Sequence, residues 1–409
     1  MADSLHIRNA RILTLAGGAG LRRGKAMAEL GVISRGEVLA EDGKIVAVGP
    51  SVPAPSGARV INANGRVLMP GFVDCHTHAC YAGNRIDEWE ERLKGLSEAE
   101  IQKKGGGTRA TMRAVQESTK KQLAAGLRDR LNRMLCEGST TVEVKSGYGL
   151  NVDGELKMLG AIVRSGQDWP GTVVPTALLG HAYEGQPDDD ARMVVKEMLH
   201  QVSQEFPDIA VDARVDEGEW SRDACVRLFE KAMKHHPLRV HADESQALGM
   251  VPEAIRLYAR SVDHLEAATK ADLAALAKSQ TCGVILPGTG FHRGGRFARA
   301  GFLVDQGGAV ALGTNYNPGS APMYSMPLAI ALAVHCCGLA PAEAIVAATV
   351  NAAAVLGLKD RGTIEPGQRA DLILLCHADE RMLAYEFGGN AVEAVICAGR
   401  LLDGPGMRA

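Results

Sequence analysis

Eight short apolar runs, each separated from the next by a stretch of helical periodicity, restrict this 409-residue chain more than any other feature. The runs are 67–78, 140–147, 172–182, 209–218, 238–244, 261–266, 282–288 and 309–319. Between them lie segments such as 187–206 and 342–357, whose apolar residues recur at three- and four-residue intervals. Strand and helix alternating eight times is the count of a (β/α)8 barrel, with a doubly wound open sheet as the competing α/β architecture. The polar residues favour the barrel. Nearly every run ends, rather than begins, in a reactive residue, and parallel barrels assemble their sites at the C-terminal strand ends.

The two ends of the chain have a different texture. Residues 1–66 and 362–409 alternate short β segments with turn signals such as Asp42-Gly43 and Asn64-Gly65. They predict one small composite β-sandwich domain, interrupted by a barrel over 67–361. Lys plus Arg is 45 against 48 for Asp plus Glu, too balanced for a nucleic-acid or anionic-membrane surface. A small-molecule partner is expected. The first thirty residues lack the apolar stretch of a signal peptide, and no run reaches the length of a membrane span. The nine cysteines are odd in number and never spaced as CxxC. Reduced, buried thiols and a cytoplasmic location are the expectation.

The densest chemistry is Asp74-Cys75-His76-Thr77-His78 at the end of the first run. Residues i and i+2 of a strand face one side, so His76 and His78 can point at a single ion, and imidazole suits Zn²⁺ or Fe²⁺. His181, His241 and His264 stand at three further strand ends. Glu244, three residues after His241, is placed to take a proton from a water activated there.

With these residues the chain resembles the amidohydrolase superfamily and, within it, the imidazolonepropionases. The resemblance runs almost end to end: PGFVDCHTH, GNR (83–85), GGGT (105–108), TTVEVKSGYGL (140–150), LGHA (179–182), HADE (241–244), DHLE (263–266), ILPG (285–288) and NPGSAP (317–322). It implies a distorted (β/α)8 barrel with a composite β domain, one Zn²⁺ or Fe ion, a homodimer and a substrate with a carboxylate arm. It also implies His76, His78 and His241 as metal ligands, Glu244 activating water, and His264 polarising or protonating the reacting centre. Arg85, Tyr148, His181 and Asn317 would bind substrate, with Arg85 on a propionate carboxylate. Two-metal members usually carry a bridging lysine on the fourth strand; 209–221 contains none, so a single metal follows.

Four positions depart from the family pattern. Asn315 stands where an Asp approaches the metal; its amide oxygen can still ligate but cannot accept a proton. Glu98 replaces a frequent Tyr before GGG, and Val215-Asp216 replaces a Cys-Glu pair, both where the substrate ring is expected, so Glu98 is a further substrate-binding candidate. The leading expectation is hydrolysis of 4-imidazolone-5-propanoate to N-formimidoyl-L-glutamate. Hydrolytic desulfuration of 3-(5-oxo-2-thioxoimidazolidin-4-yl)propionate is the alternative, because sulfide leaves with less help from a proton donor. A ligand-binding variant inactivated at Asn315 is the third reading.

Overall fold

In the computed structural model, which describes residues 4–183 and 186–402, the strands of the middle region carry two faces of opposite chemistry. Val142 and Val144, Val211 and Ala213, and Val240 and Ala242 are buried in the large apolar core. Their neighbours Glu143, Lys145, Asp212, Arg239 and His241 are equally buried but polar, and bond to one another. The strand period of two thus puts valine outward against the helices and charge inward into the barrel.

The barrel strands are β1 (Phe72–Asp74), β2 (Ser139–Lys145), β3 (Thr172–Gly180), β4 (Ala210–Val215), β5 (Leu238–Ala242), β6 (Ser261–His264), β7 (Cys282–Ile285) and β8 (Val310–Leu312). They pair in chain order, all parallel, with at least one helix between each consecutive pair. Several helices begin on side-chain caps, including Thr119, Ser221 and Thr269.

The seam between β8 and β1 shapes the site. No ladder joins these strands among the described residues; they meet just past their C-terminal ends, at a parallel bridge between Thr77 and Tyr316. Asn315 N–H donates to His76 O at 3.0 Å, and His78 N–H donates to Tyr316 O at 3.0 Å. Asp74 staples the same seam by accepting from Thr314 N (3.0 Å) and Thr314 Oγ1 (2.5 Å). Burial pushes the Asp74 carboxyl up to about 7, against the pull of these bonds.

The terminal segments form one separate mixed sheet. Ser4–Leu13 pairs antiparallel with Val32–Glu41 and parallel with both Arg59–Asn62 and Val67–Pro70, and the C-terminal strand Leu372–Leu375 pairs antiparallel with Val67–Pro70. A shared cluster including Ile7, Ile12, Val38, Leu372 and Ile396 ties both ends of the chain together. The expected composite unit is therefore one continuous hydrogen-bonded sheet. The run 67–78 divides: Val67–Pro70 belongs to this sheet and only Phe72–Asp74 to the barrel, so the sheets part at Gly71 rather than after residue 66. Thr140 lies where a Cβ on Gly71 would stand, which leaves glycine as the residue that lets the chain cross between them. All nine cysteines are unpaired, but Cys336 and Cys376 are exposed and Cys136 is half-buried, against the expectation of burial.

Candidate metal centre and active site

Four imidazoles converge at the C-terminal end of the barrel. His76 and His78 follow β1, His241 lies in β5 and His264 ends β6. The His76 ring centroid lies 4.5 Å from that of His241, 5.4 Å from His78 and 5.9 Å from His264. Ligand atoms of His76, His241 and His264 fall within 4.8 Å of one another. Nε2 of His78 faces Nε2 of His241 at 3.2 Å. Two ring nitrogens at that distance need a proton or a cation between them.

Several buried polar atoms also lack a partner among the described residues: His76 Nε2, His78 Nδ1 and Asn315 Oδ1. Such orphans are costly unless something binds them. Behind the rings, His76 Nδ1 donates to Asp263 Oδ2 at 2.6 Å and His241 Nδ1 donates to Asp212 Oδ1 at 3.1 Å. A carboxylate on one nitrogen fixes the tautomer and turns the other toward a metal. Burial lowers the pKa of His76 well below the usual imidazole value and that of His241 to about 3, so both rings are neutral, as ligation requires. The residues fit a cation.

Beneath the rings, Glu143, Asp212 and Asp263 share two cations, Lys145 and Arg239, all nearly or fully excluded from solvent. Burial and Arg239 oppose the lysine's charge, but Asp212, Glu143 and Asp263 outweigh them and keep it protonated. Three carboxylates and two cations thus form one buried network directly behind the histidines. Sequence reasoning missed this layer. Its signal was present as charged residues two apart within apolar strands, VEVK, VDAR and RVH.

Every predicted site side chain except His76, which lies beneath, and Glu98 lines one cavity of about 480 Å³. The side chain of Glu98, in helix Glu98–Lys103, lies outside the described residues. Glu244 accepts from Arg214 Nη2 at 3.1 Å and Arg293 Nη1 at 2.7 Å, with His264 Nε2 3.8 Å away. Burial opposes its charge, yet His264 and the two guanidinium groups hold the carboxyl well below its usual range. His264 has carboxylates at both nitrogens, Glu266 at 3.3 Å being the other. Burial lowers its pKa, but Glu266 and Glu244 outweigh this and raise it to about 9. At neutral pH Glu244 is an anion and His264 a proton donor. His264 (φ 90°) and Asn315 (φ 54°) both adopt left-handed backbone conformations, a strain of about 1–3 kcal/mol each that clusters at functional sites.

The opposite wall is built from backbone contacts. His181 Nδ1 donates to Gly147 O at 2.8 Å, and burial lowers its pKa to about 4, so Nε2 is an acceptor. Gly147 has φ 106°, and a Cβ there would stand 3.1 Å from His181 Nδ1. Buried Glu155 gathers the N–H groups of Gly147, Gly149 and Leu150 and so fixes the loop that carries Tyr148. Arg85 pairs with Glu88, which also accepts Gly107 N–H at 2.8 Å, and its guanidinium lies over Gly319, where a Cβ would overlap Nη1. Asn317 accepts from Gly319 N and Ser320 N and shapes this loop. Asn315 Nδ2 donates to Thr289 Oγ1 at 2.8 Å, which leaves its oxygen as the end without a partner.

Residues 67–402 match the Amidohydrolase family model. The chain belongs to the amidohydrolase family. It is 42% identical over 384 residues to an imidazolonepropionase of Deinococcus radiodurans, covering 94% of this chain and 96% of that one. A second, from Herpetosiphon aurantiacus, is 41% identical over 417 residues, covering 98% and 97%. Among solved structures, an atrazine chlorohydrolase from Arthrobacter aurescens complexed with zinc superposes with a TM-score of 0.73 at 18% identity, covering 97% of this chain and 95% of that one. The amidohydrolase barrel is thus shared with proteins of distant sequence.

Proposed function

We propose that this amidohydrolase opens the ring of 4-imidazolone-5-propanoate with water, giving N-formimidoyl-L-glutamate. The observation that carries the reading is identity near 40% over almost the whole chain to relatives named imidazolonepropionase. The site geometry supports it: a neutral histidine set beside an anionic Glu244 and a cationic His264, in a cavity that Arg85 also lines.

One ion, zinc or iron, would be held by His76, His78 and His241 with Asn315 Oδ1 as a further donor. When bound, it supplies Lewis acidity, which brings water's acidity within reach of a carboxylate as weakly basic as Glu244. Glu244 then accepts the proton as the water oxygen adds to the ring carbonyl carbon. His264 donates toward the charge developing on that centre. The ring C–N bond breaks, the nitrogen takes up a proton, and the former carbonyl carbon becomes a carboxylate. Arg85 binds the propionate arm, Tyr148 and His181 hold the ring, and Asn317 supports the loop beneath. Being neutral, Asn315 orients but accepts no proton.

Nine unpaired thiols suit a reducing compartment such as the cytoplasm. Among the described residues no helix is long and apolar enough to cross a membrane. A homodimer belongs to the same proposal, supported by exposed Ile86, Trp89 and Leu93 on helix Ile86–Leu93.

The test incubates metal-loaded protein with 4-imidazolone-5-propanoate and with its 2-thioxo analogue, following ring absorbance, N-formimidoyl-L-glutamate and sulfide. Formimidoylglutamate is expected. Sulfide release from the analogue alone, or binding without turnover of either compound, would overturn the reading. Gly319→Ala should raise KM about tenfold with kcat little changed, because the added Cβ displaces the Arg85 guanidinium. Steady-state kinetics with unaltered KM would remove Arg85 from the carboxylate-binding role.

A further inference from the structure

The fully buried Lys145 has no part in the chemistry above, yet it touches both arms of the histidine cluster through its partners. Nζ donates to Asp212 Oδ2 at 2.8 Å, while the other oxygen of that carboxylate takes His241 Nδ1–H. Nζ also donates to Glu143 Oε1 at 2.7 Å, while Glu143 Oε2 accepts the backbone N–H of Thr77 at 3.0 Å, between His76 and His78. The Lys145 N–H donates to Thr77 O at 3.0 Å. One ammonium group therefore binds two carboxylates: Asp212, which bonds a candidate ligand side chain directly, and Glu143, which bonds the backbone of Thr77 and is also held by Arg239. Arg239 closes the ring by binding Glu143 Oε1 (3.1 Å), Cys75 O (2.7 Å) and Asp263 Oδ2 (2.7 Å), and Asp263 holds His76.

We infer that Lys145 is a positioning residue for the metal centre: it locks the Asp212 carboxylate so that His241 presents Nε2 to the ion. Unpinned, a carboxylate with 0% side-chain exposure loses its lysine partner and is free to rotate. That rotation releases the His241 ring. A bystander lysine filling barrel volume would affect stability alone, whereas a positioning lysine affects the ligand field.

This inference rests on the metal-centre reading, and the test separates the two. Zinc affinity is measured by competition with a chromophoric chelator, and cobalt-loaded protein is read by its visible absorption, in wild type, Lys145→Met, Asp212→Asn and the double variant. Lys145→Met should bind zinc about 10- to 100-fold more weakly, the range for losing an outer partner of a ligand, and should shift the cobalt band. Because Lys145 acts through Asp212, the double variant should bind zinc within about threefold of Asp212→Asn alone. Wild-type affinity and spectrum in Lys145→Met, or additive losses in the double variant, would overturn the inference. Should Lys145→Met not fold, the comparison of Asp212→Asn with the charge-matched double variant decides by the same threefold criterion. Wild-type protein that takes up no zinc would overturn the metal reading itself.

Discussion

His241→Ala and His76→Ala are each expected to lose the bound ion and, with it, turnover. His241 offers the site Nε2 while Asp212 grips its other nitrogen, and alanine removes both the donor and the acceptor's partner. The affinity loss should exceed the 10- to 100-fold typical of outer partners, because an inner ligand is gone. Metal analysis after dialysis reads this directly, with about one equivalent in wild type and a small fraction of it in either variant. A second readout is thermal: zinc that stabilises the wild type by mass action should no longer raise the Tm of the variants. A full equivalent retained by both would refute the ligand assignment.

Glu244→Gln should leave the metal in place and lower kcat by about 10²- to 10⁴-fold, the usual worth of a positioned proton acceptor. Glutamine keeps the shape of the side chain but cannot take a proton. Arg214 retains Asp216 and Glu219 as partners at 3.3 Å, so the loss falls on chemistry more than on folding. Metal content and kcat measured on the same preparation distinguish this variant from the histidine variants. If kcat falls less than about tenfold, proton acceptance belongs to another group.

The barrel was legible because its signal is local. Eight apolar runs, nearly all ending in polar residues, state the strand count, and His76 and His78 share a face on the strength of the two-residue period alone. The strand-end histidines 181, 241 and 264 followed from the same logic. The structure gathers them around one cavity. The second layer was not legible in this way. Glu143, Lys145, Asp212, Arg239 and Asp263 come from four strands, and a charge inside an apolar run reads as an exception until its partner is known. Likewise nothing in the sequence pairs Arg214 and Arg293 with Glu244, whose two oxygens they hold. The run 67–78 looked like one strand because nothing in its apolarity marks where hydrogen-bonding partners change; only the packing of Thr140 against Gly71 does.

Patterning within single strands, then, indicated the architecture and the chemical type of the site, since each depends on residues a few positions apart, while the ordered motifs along the chain carried the family resemblance. Which atoms face each other depended on strand neighbours and on barrel closure. Asp74 and Thr314 stand 240 positions apart, and their bond brings Asn315 beside His76 at the seam. Hydrogen bonds and charge pairs act through space over a few ångströms. The register of distant strands therefore decided which carboxylate serves which histidine and which lysine holds that carboxylate in place.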